Sequence, residues 1–200
     1  MVYSLLQAFF TFFFQVFFRA EIIGRENLPA EGGVILAANH MSNWDPPLLA
    51  TFLSRPVSYM AKKELFEVPV LKQIIRSCYS FPVKRGAADR GAIKAALQAL
   101  KEGRCIGLFP EGTRSRDGKI HKAEGGVALL AALGNVPVVP AAILGTDRIF
   151  SHGIFFPKLT VIYGEPLFFS GKHNDKENLQ LFSQKIMEEI VKMVKLHSKE

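Results

Sequence analysis

Two hundred residues suit one domain with a sizeable core, and a chain that is 48% apolar and 22% charged has a globular composition, not a disordered or fibrous one. The formal net charge of +7 favours an anionic partner: nucleic acid, an anionic membrane or a phosphorylated substrate. Cys78 and Cys105 lie in apolar stretches without metal-type spacing and read as buried thiols of a reducing compartment.

Residues 1–18 carry no charge, and seven of the 17 phenylalanines fall within residues 9–18. The stretch has neither the basic start nor the small-residue cleavage site of a secretory signal, so it is expected to stay on the mature protein. Ser4, Gln7, Thr11 and Gln15 recur at spacings of three, four and four, which puts them on one face of a helix. Such a helix, about 18 residues and roughly 27 Å long, is barely long enough to span a bilayer. Its polar stripe predicts that it lies in or dips into one leaflet, the alternative being a helix packed on the core. Residues 1–20 are therefore read as a membrane-associating helix and 21–200 as the catalytic domain.

Beyond it, strand-like and helix-like segments alternate. Residues 34–39 read as a buried strand, 46–54 as a helix with proline in its first turn, 56–61 as a strand, 68–77 as a short amphipathic helix and 79–84 as a strand. Asp89 can cap a helix over 89–102 that stops at Gly103. Strands at 105–109, 136–143 and 159–164 and helices at 126–134, ended by Gly134, and about 176–196 complete the chain. Two prolines within 136–143 predict an irregular or edge strand. The alternation implies an α/β fold, a layered mixed sheet flanked by helices.

Three segments carry chemistry. In NHMSNWDP (39–46), at the end of a predicted buried strand, His40 and Asp45 are five residues apart. A neutral histidine can take the proton of an alcohol, and a carboxylate on its other nitrogen fixes the tautomer. Asp45 before Pro46 equally fits an ordinary helix N-cap, so both readings stand. In FPEGTRSRDG (109–118), Gly112 permits an unusual φ, and Thr113, Arg114, Ser115 and backbone N–H groups can surround a phosphate. The alternative there is a polar hairpin loop with a solvated arginine. FPVKRG (81–86) sits in a segment, Arg76 to Lys94, with five basic residues and one acidic, a local charge of +4.

The sequence holds no G-x-S-x-G elbow, no P-loop motif and no Cys/His cluster suited to zinc. Neither cysteine has a partner base, so direct attack by an acceptor hydroxyl on a thioester is simpler than a covalent acyl-enzyme. A metal-dependent hydrolase using His40, Asp45 and Glu111 is a weaker alternative, as is a lipid-binding module without catalysis. The basic residues lack the interleaved aromatics of a nucleic-acid surface, so no nucleic acid is expected.

NHMSNWD resembles the His-x-x-x-x-Asp signature of the glycerolipid acyltransferase family, FPVKRG its second block, FPEGTRS its third and VPVVPAAILG (136–145) its fourth, all in the family's order. The resemblance implies that His40 is the general base, that Asp45 orients it, and that Arg85 and Arg114 help to bind an acceptor phosphate. Glu111 and Gly112, beside Thr113, would shape the acceptor site, with Gly112 supplying a backbone N–H. It further implies acyl transfer from acyl-coenzyme A or acyl carrier protein to 1-acyl-sn-glycerol 3-phosphate, without metal or cofactor. Glycerol 3-phosphate or a lyso-aminolipid is the alternative acceptor. Such an enzyme is expected among membrane lipids at the cytoplasmic face of the cell membrane, held there by its N-terminal helix.

Overall fold

A computed structural model describes residues 2–83, 90–115, 117–150 and 155–198. Helix α1 (Val2–Phe18) is followed by β1 (Glu21–Ile23), β2 (Val34–Ala38), α2 (Asp45–Thr51), β3 (Val57–Lys62), α3 (Pro69–Ser77), β4 (Phe81–Val83), α4 (Arg90–Lys101), β5 (Cys105–Leu108), α5 (Gly126–Gly134), β6 (Val138–Leu144), β7 (Thr160–Tyr163) and α6 (Lys176–His197). The strands form one seven-stranded sheet in the order β1-β7-β6-β2-β5-β3-β4. Every ladder between these strands is parallel except β6 with β7, so the sheet is mixed, within the layered α/β arrangement that the alternation of elements predicted.

Strand β2 runs through the middle with all five residues buried. Its period of two divides them between the faces. Val34, Leu36 and Ala38 join a core cluster that includes α1 and α2, and Ile35 and Ala37 join a second one built from α4, α5 and α6. Helices on both faces explain why β2 reads as a continuous apolar run.

Three local details go beyond the sequence expectations. Strand β6 is irregular, as its two prolines predicted, yet interior, between β7 and β2. Pro140 is tolerated because its missing N–H falls on the β7 side, where Gly164 N still donates to Pro140 O at 2.8 Å and the register then slips. Ala141 is opposite Tyr163, whereas Val138 pairs with Leu167, so one extra residue is accommodated as a bulge. Helix α5 runs to Gly134, as expected, and Asn135 after it takes the left-handed conformation (φ 48°). Strand β1, three half-buried residues with no alternation, gave no sequence signal.

Helix α1 packs on the domain through Phe14 and Phe18, both fully buried. Its polar stripe does not all face water: Gln7 Nε2 donates to the carbonyls of Thr51 (2.9 Å) and Leu53 (2.8 Å), satisfying acceptors at the end of α2. An apolar stripe points outward instead, Leu5, Phe9, Phe12 and Val16, at 72%, 57%, 62% and 56% exposure and spacings of four, three and four. Among the described residues no helix is long and apolar enough to cross a membrane.

Gly107 on β5 connects the sheet to the site. A Cβ there would lie 2.3 Å from Tyr59 Cε1. The Tyr59 ring cannot easily move aside, because its hydroxyl donates to Pro46 O at 2.7 Å and the ring is stacked on Phe109. Gly107→Ala should therefore lower the unfolding free energy by about 1–3 kcal/mol, measured by urea denaturation. An unchanged midpoint would show that the ring yields.

Candidate active site

The carboxyl ends of β2, β5 and β6 lie at one edge of the sheet because the three strands are mutually parallel. This is where α/β folds place their chemistry, and the loops leaving these strands meet around His40.

Asp45 pairs with His40 and does not cap α2. It is the first residue of α2 and makes no capping bond to that helix. Its carboxylate turns back over the preceding loop: Oδ2 accepts from Met41 N (2.6 Å), Ser42 N (2.7 Å) and the His40 Nδ1 position (2.8 Å), and Oδ1 accepts from the Thr146 hydroxyl (2.5 Å). Asp45 has no exposed surface, and a buried carboxylate is tolerated only with its lone pairs occupied. With a carboxylate on Nδ1, the neutral imidazole carries its proton there and leaves the Nε2 lone pair free. Nε2 has no hydrogen-bond partner among the described residues.

The loop after β5 holds the rest of His40. Glu111 Oε1 accepts from His40 N (3.0 Å), Ser115 N donates to His40 O (2.8 Å), and Phe109 stacks on the imidazole with ring centroids 3.9 Å apart. Glu111 is buried, and its other oxygen accepts from His121 N (2.9 Å), so this carboxylate fastens two backbone segments together. Gly112 takes φ 69°, and its N–H donates to Phe109 O within the turn (2.9 Å). Beyond the turn, Asp117 Oδ1 accepts from Lys119 N, the Ser115 hydroxyl and His121 Nε2. These bonds, the Lys119 N–H foremost, hold the exposed Asp117 carboxyl down at about 2. The loop therefore has this support above the ordinary carboxylate range and loses it as pH falls toward 2.

A cavity of about 410 Å³ opens beside the pair, lined by Ser42, Asn43, Trp44, Arg114, Ser115 and Thr146, among others. His40 is not one of its walls, but Ser42, Ser115 and Thr146 each bond to His40 or to Asp45. Arg114 is exposed at this cavity, and Thr113 is exposed but not part of the wall. Trp44 stacks on Phe13 of α1 at 5.7 Å, so the cavity wall touches the helix that carries the outward apolar stripe. Arg85 lies outside the described residues. Strand β4 is separated from β2 by β5 and β3, and a second cavity of about 320 Å³ at β4 is lined by Lys63, Lys72, Arg76, Phe81 and Pro82, among others.

Thr146 and Phe109 were not singled out by sequence reasoning. Phe109 opens the motif at 109–118, but a lone threonine 101 residues from Asp45 carries no local signal. Among the described residues no group of three His, Cys, Asp or Glu side chains is placed to hold a metal ion. Burial pushes the Cys105 thiol up to about 12, and that side chain is fully buried, which leaves it without nucleophilic thiolate.

A family model described as Acyltransferase matches residues 19–144. The 1-acyl-sn-glycerol-3-phosphate acyltransferase of Bacillus subtilis (strain 168) is 35% identical over 151 residues, 74% of this chain and 73% of that protein. The protein of the same name from Streptococcus pneumoniae (strain ATCC BAA-255 / R6) is 33% identical over 164 residues, 80% of this chain and 60% of its own length. The crystal structure of the 1-acyl-sn-glycerophosphate (LPA) acyltransferase PlsC from Thermotoga maritima superposes with a TM-score of 0.79 at 30% identity, covering 96% of this chain and 79% of that one.

Glu111 offers a direct check of the clamp. Glutamine keeps the shape but has one acceptor oxygen for two N–H donors. Glu111→Gln should leave a buried donor unpaired and lower the unfolding free energy by about 1–3 kcal/mol in chemical denaturation. Unaltered stability would mean that Glu111 does not fasten the loops.

Proposed function

This chain belongs to the acyltransferase family, and we propose that it moves a fatty acyl chain from a thioester, acyl-coenzyme A or acyl carrier protein, to the free hydroxyl of 1-acyl-sn-glycerol 3-phosphate, giving phosphatidic acid. The observation that carries this reading is the held imidazole: His40 Nδ1 lies 2.8 Å from Asp45 Oδ2, while Nε2 has no hydrogen-bond partner among the described residues.

In the reaction Nε2 takes the proton of the acceptor hydroxyl as its oxygen bonds to the thioester carbonyl carbon. The carbon–sulfur bond then breaks, and the thiolate leaves with the proton returned from the imidazolium. Asp45 stabilises the transient imidazolium. Arg114, exposed at the adjoining cavity, is suited to the acceptor phosphate, with Arg85 as the second cation. No residue of the chain needs to carry the acyl group, which fits the inert Cys105 thiol.

The acceptor is an amphiphile that resides in a bilayer. The outward stripe of α1, joined to the cavity wall through Phe13 and Trp44, supports a seat at the membrane surface. Phe150 and Phe156, both exposed and 6.1 Å apart, extend the apolar surface beside it. The free thiols Cys78 and Cys105 fit the cytoplasmic, reducing side.

His40→Ala should lower the rate of phosphatidic acid formation about 10²- to 10⁴-fold with the circular dichroism spectrum retained, in an assay pairing 1-acyl-sn-glycerol 3-phosphate with each donor. A folded variant with substantial transfer would remove His40 from the base role. Replacing Leu5 and Phe12 together by serine removes two exposed anchors worth about 1.5–3 kcal/mol each when buried in lipid. Flotation with anionic phospholipid vesicles should show binding weakened more than tenfold; equal flotation would discount the helix as the anchor.

A further inference from the structure

One hydrogen bond at the base comes from far along the chain. Asp45 Oδ2 is occupied by the loop and by His40, but Oδ1 has a single donor among the described residues, the hydroxyl of Thr146 at 2.5 Å. Thr146 is 1% exposed and lies two residues beyond the span matched by the family model. Without it Oδ1 would be a buried acceptor with no donor, and the carboxylate plane would be held from one side alone. The Thr146 hydroxyl satisfies that oxygen and fixes the plane from its other side.

The backbone places this hydroxyl with care. Asn39, next to His40, donates from Nδ2 to Ile143 O (2.9 Å) and accepts from Ile143 N at Oδ1 (2.8 Å), both bonds buried. The side chain thus continues the β2–β6 pairing past the end of β2. Gly145 then turns the chain at φ 89°, and a Cβ there would meet Lys158 O at 2.4 Å, so the turn requires glycine. Two rungs, Asn39 to Ile143 and Asp45 to Thr146, tie the loop carrying the base to the end of β6.

We infer that Thr146 is a positioning residue for the His40–Asp45 base, held in place by the Asn39–Ile143 rung. This rests on the acyl-transfer reading given above. Thr146 also lines the cavity, so its effect through Asp45 must be separated from direct contact with substrate.

Steady-state acyl transfer by Thr146→Val, Thr146→Ser, Asp45→Asn and the Asp45→Asn/Thr146→Val double variant makes the separation. Valine keeps the shape and removes the hydroxyl; kcat should fall about tenfold to a hundredfold with both KM values within about twofold of the unaltered chain. Serine should restore most of kcat. In the Asp45→Asn background, Thr146→Val should cost nothing more, because the interaction it removes is already lost. If valine does not fold, as judged by thermal unfolding, Thr146→Ala must show the same fall in kcat. An unchanged kcat, an effect confined to KM, or losses that multiply in the double variant would each overturn the role of Thr146. Absence of acyl transfer by the unaltered chain would overturn the functional reading itself.

Discussion

The structure around His40 depends on one buried carboxylate. Asp45 has no contact with water, and its desolvation, several kcal/mol for an isolated ion, is offset by four donors at 2.5–2.8 Å. Two of the four are backbone N–H groups of Met41 and Ser42, so the bonds that satisfy the buried carboxylate also shape the loop in which His40 sits. The geometry of the base and the fold of its loop are therefore one arrangement.

The sheet makes that arrangement possible by bringing distant segments to one edge. Glu111 is 71 residues from His40 and Thr146 is 101 from Asp45, yet both reach the pair because β5 and β6 flank β2 in parallel. The stack of His40 on Phe109 and Phe109 on Tyr59 continues across β5, where Gly107 provides the space. The loop after β5 thus holds the His40 backbone through Glu111 and Ser115 and lines the neighbouring cavity with Arg114. Across the cavity, Trp44 passes from the loop that carries His40 to Phe13 and Phe14 of α1, so the apolar helix and the His40 loop share one packed neighbourhood.

Much of this was legible in the amino-acid order. The strands β2, β5, β6 and β7 and the helices α4 and α6 follow from apolar periodicity, and His40, Asp45 and Arg114 from motif spacing. What was not legible depended on tertiary position. The prolines of 136–143 suggested an irregular or an edge strand; the bulge opposite Pro140 bears out the first, while the interior place of β6 depends on a partner strand that local sequence does not reveal. Gln7 looked like part of a water-facing stripe until the carbonyls at the end of α2 were placed beside it. Glu111 was expected to shape the acceptor site, and the structure uses both of its oxygens on backbone N–H groups. Thr146 had no local pattern, since its meaning comes only from the register of β6 on β2.

On the proposed reading, the Asp45 carboxylate fixes the His40 proton on Nδ1 and leaves Nε2 to accept one. Long-range nitrogen–proton correlation spectra of the imidazole, with nitrogen-15 label in the histidines, read the tautomer directly. The account predicts a neutral His40 ring protonated on Nδ1, with that state lost in Asp45→Asn. A ring protonated on Nε2, or one exchanging freely between the two forms, would contradict it.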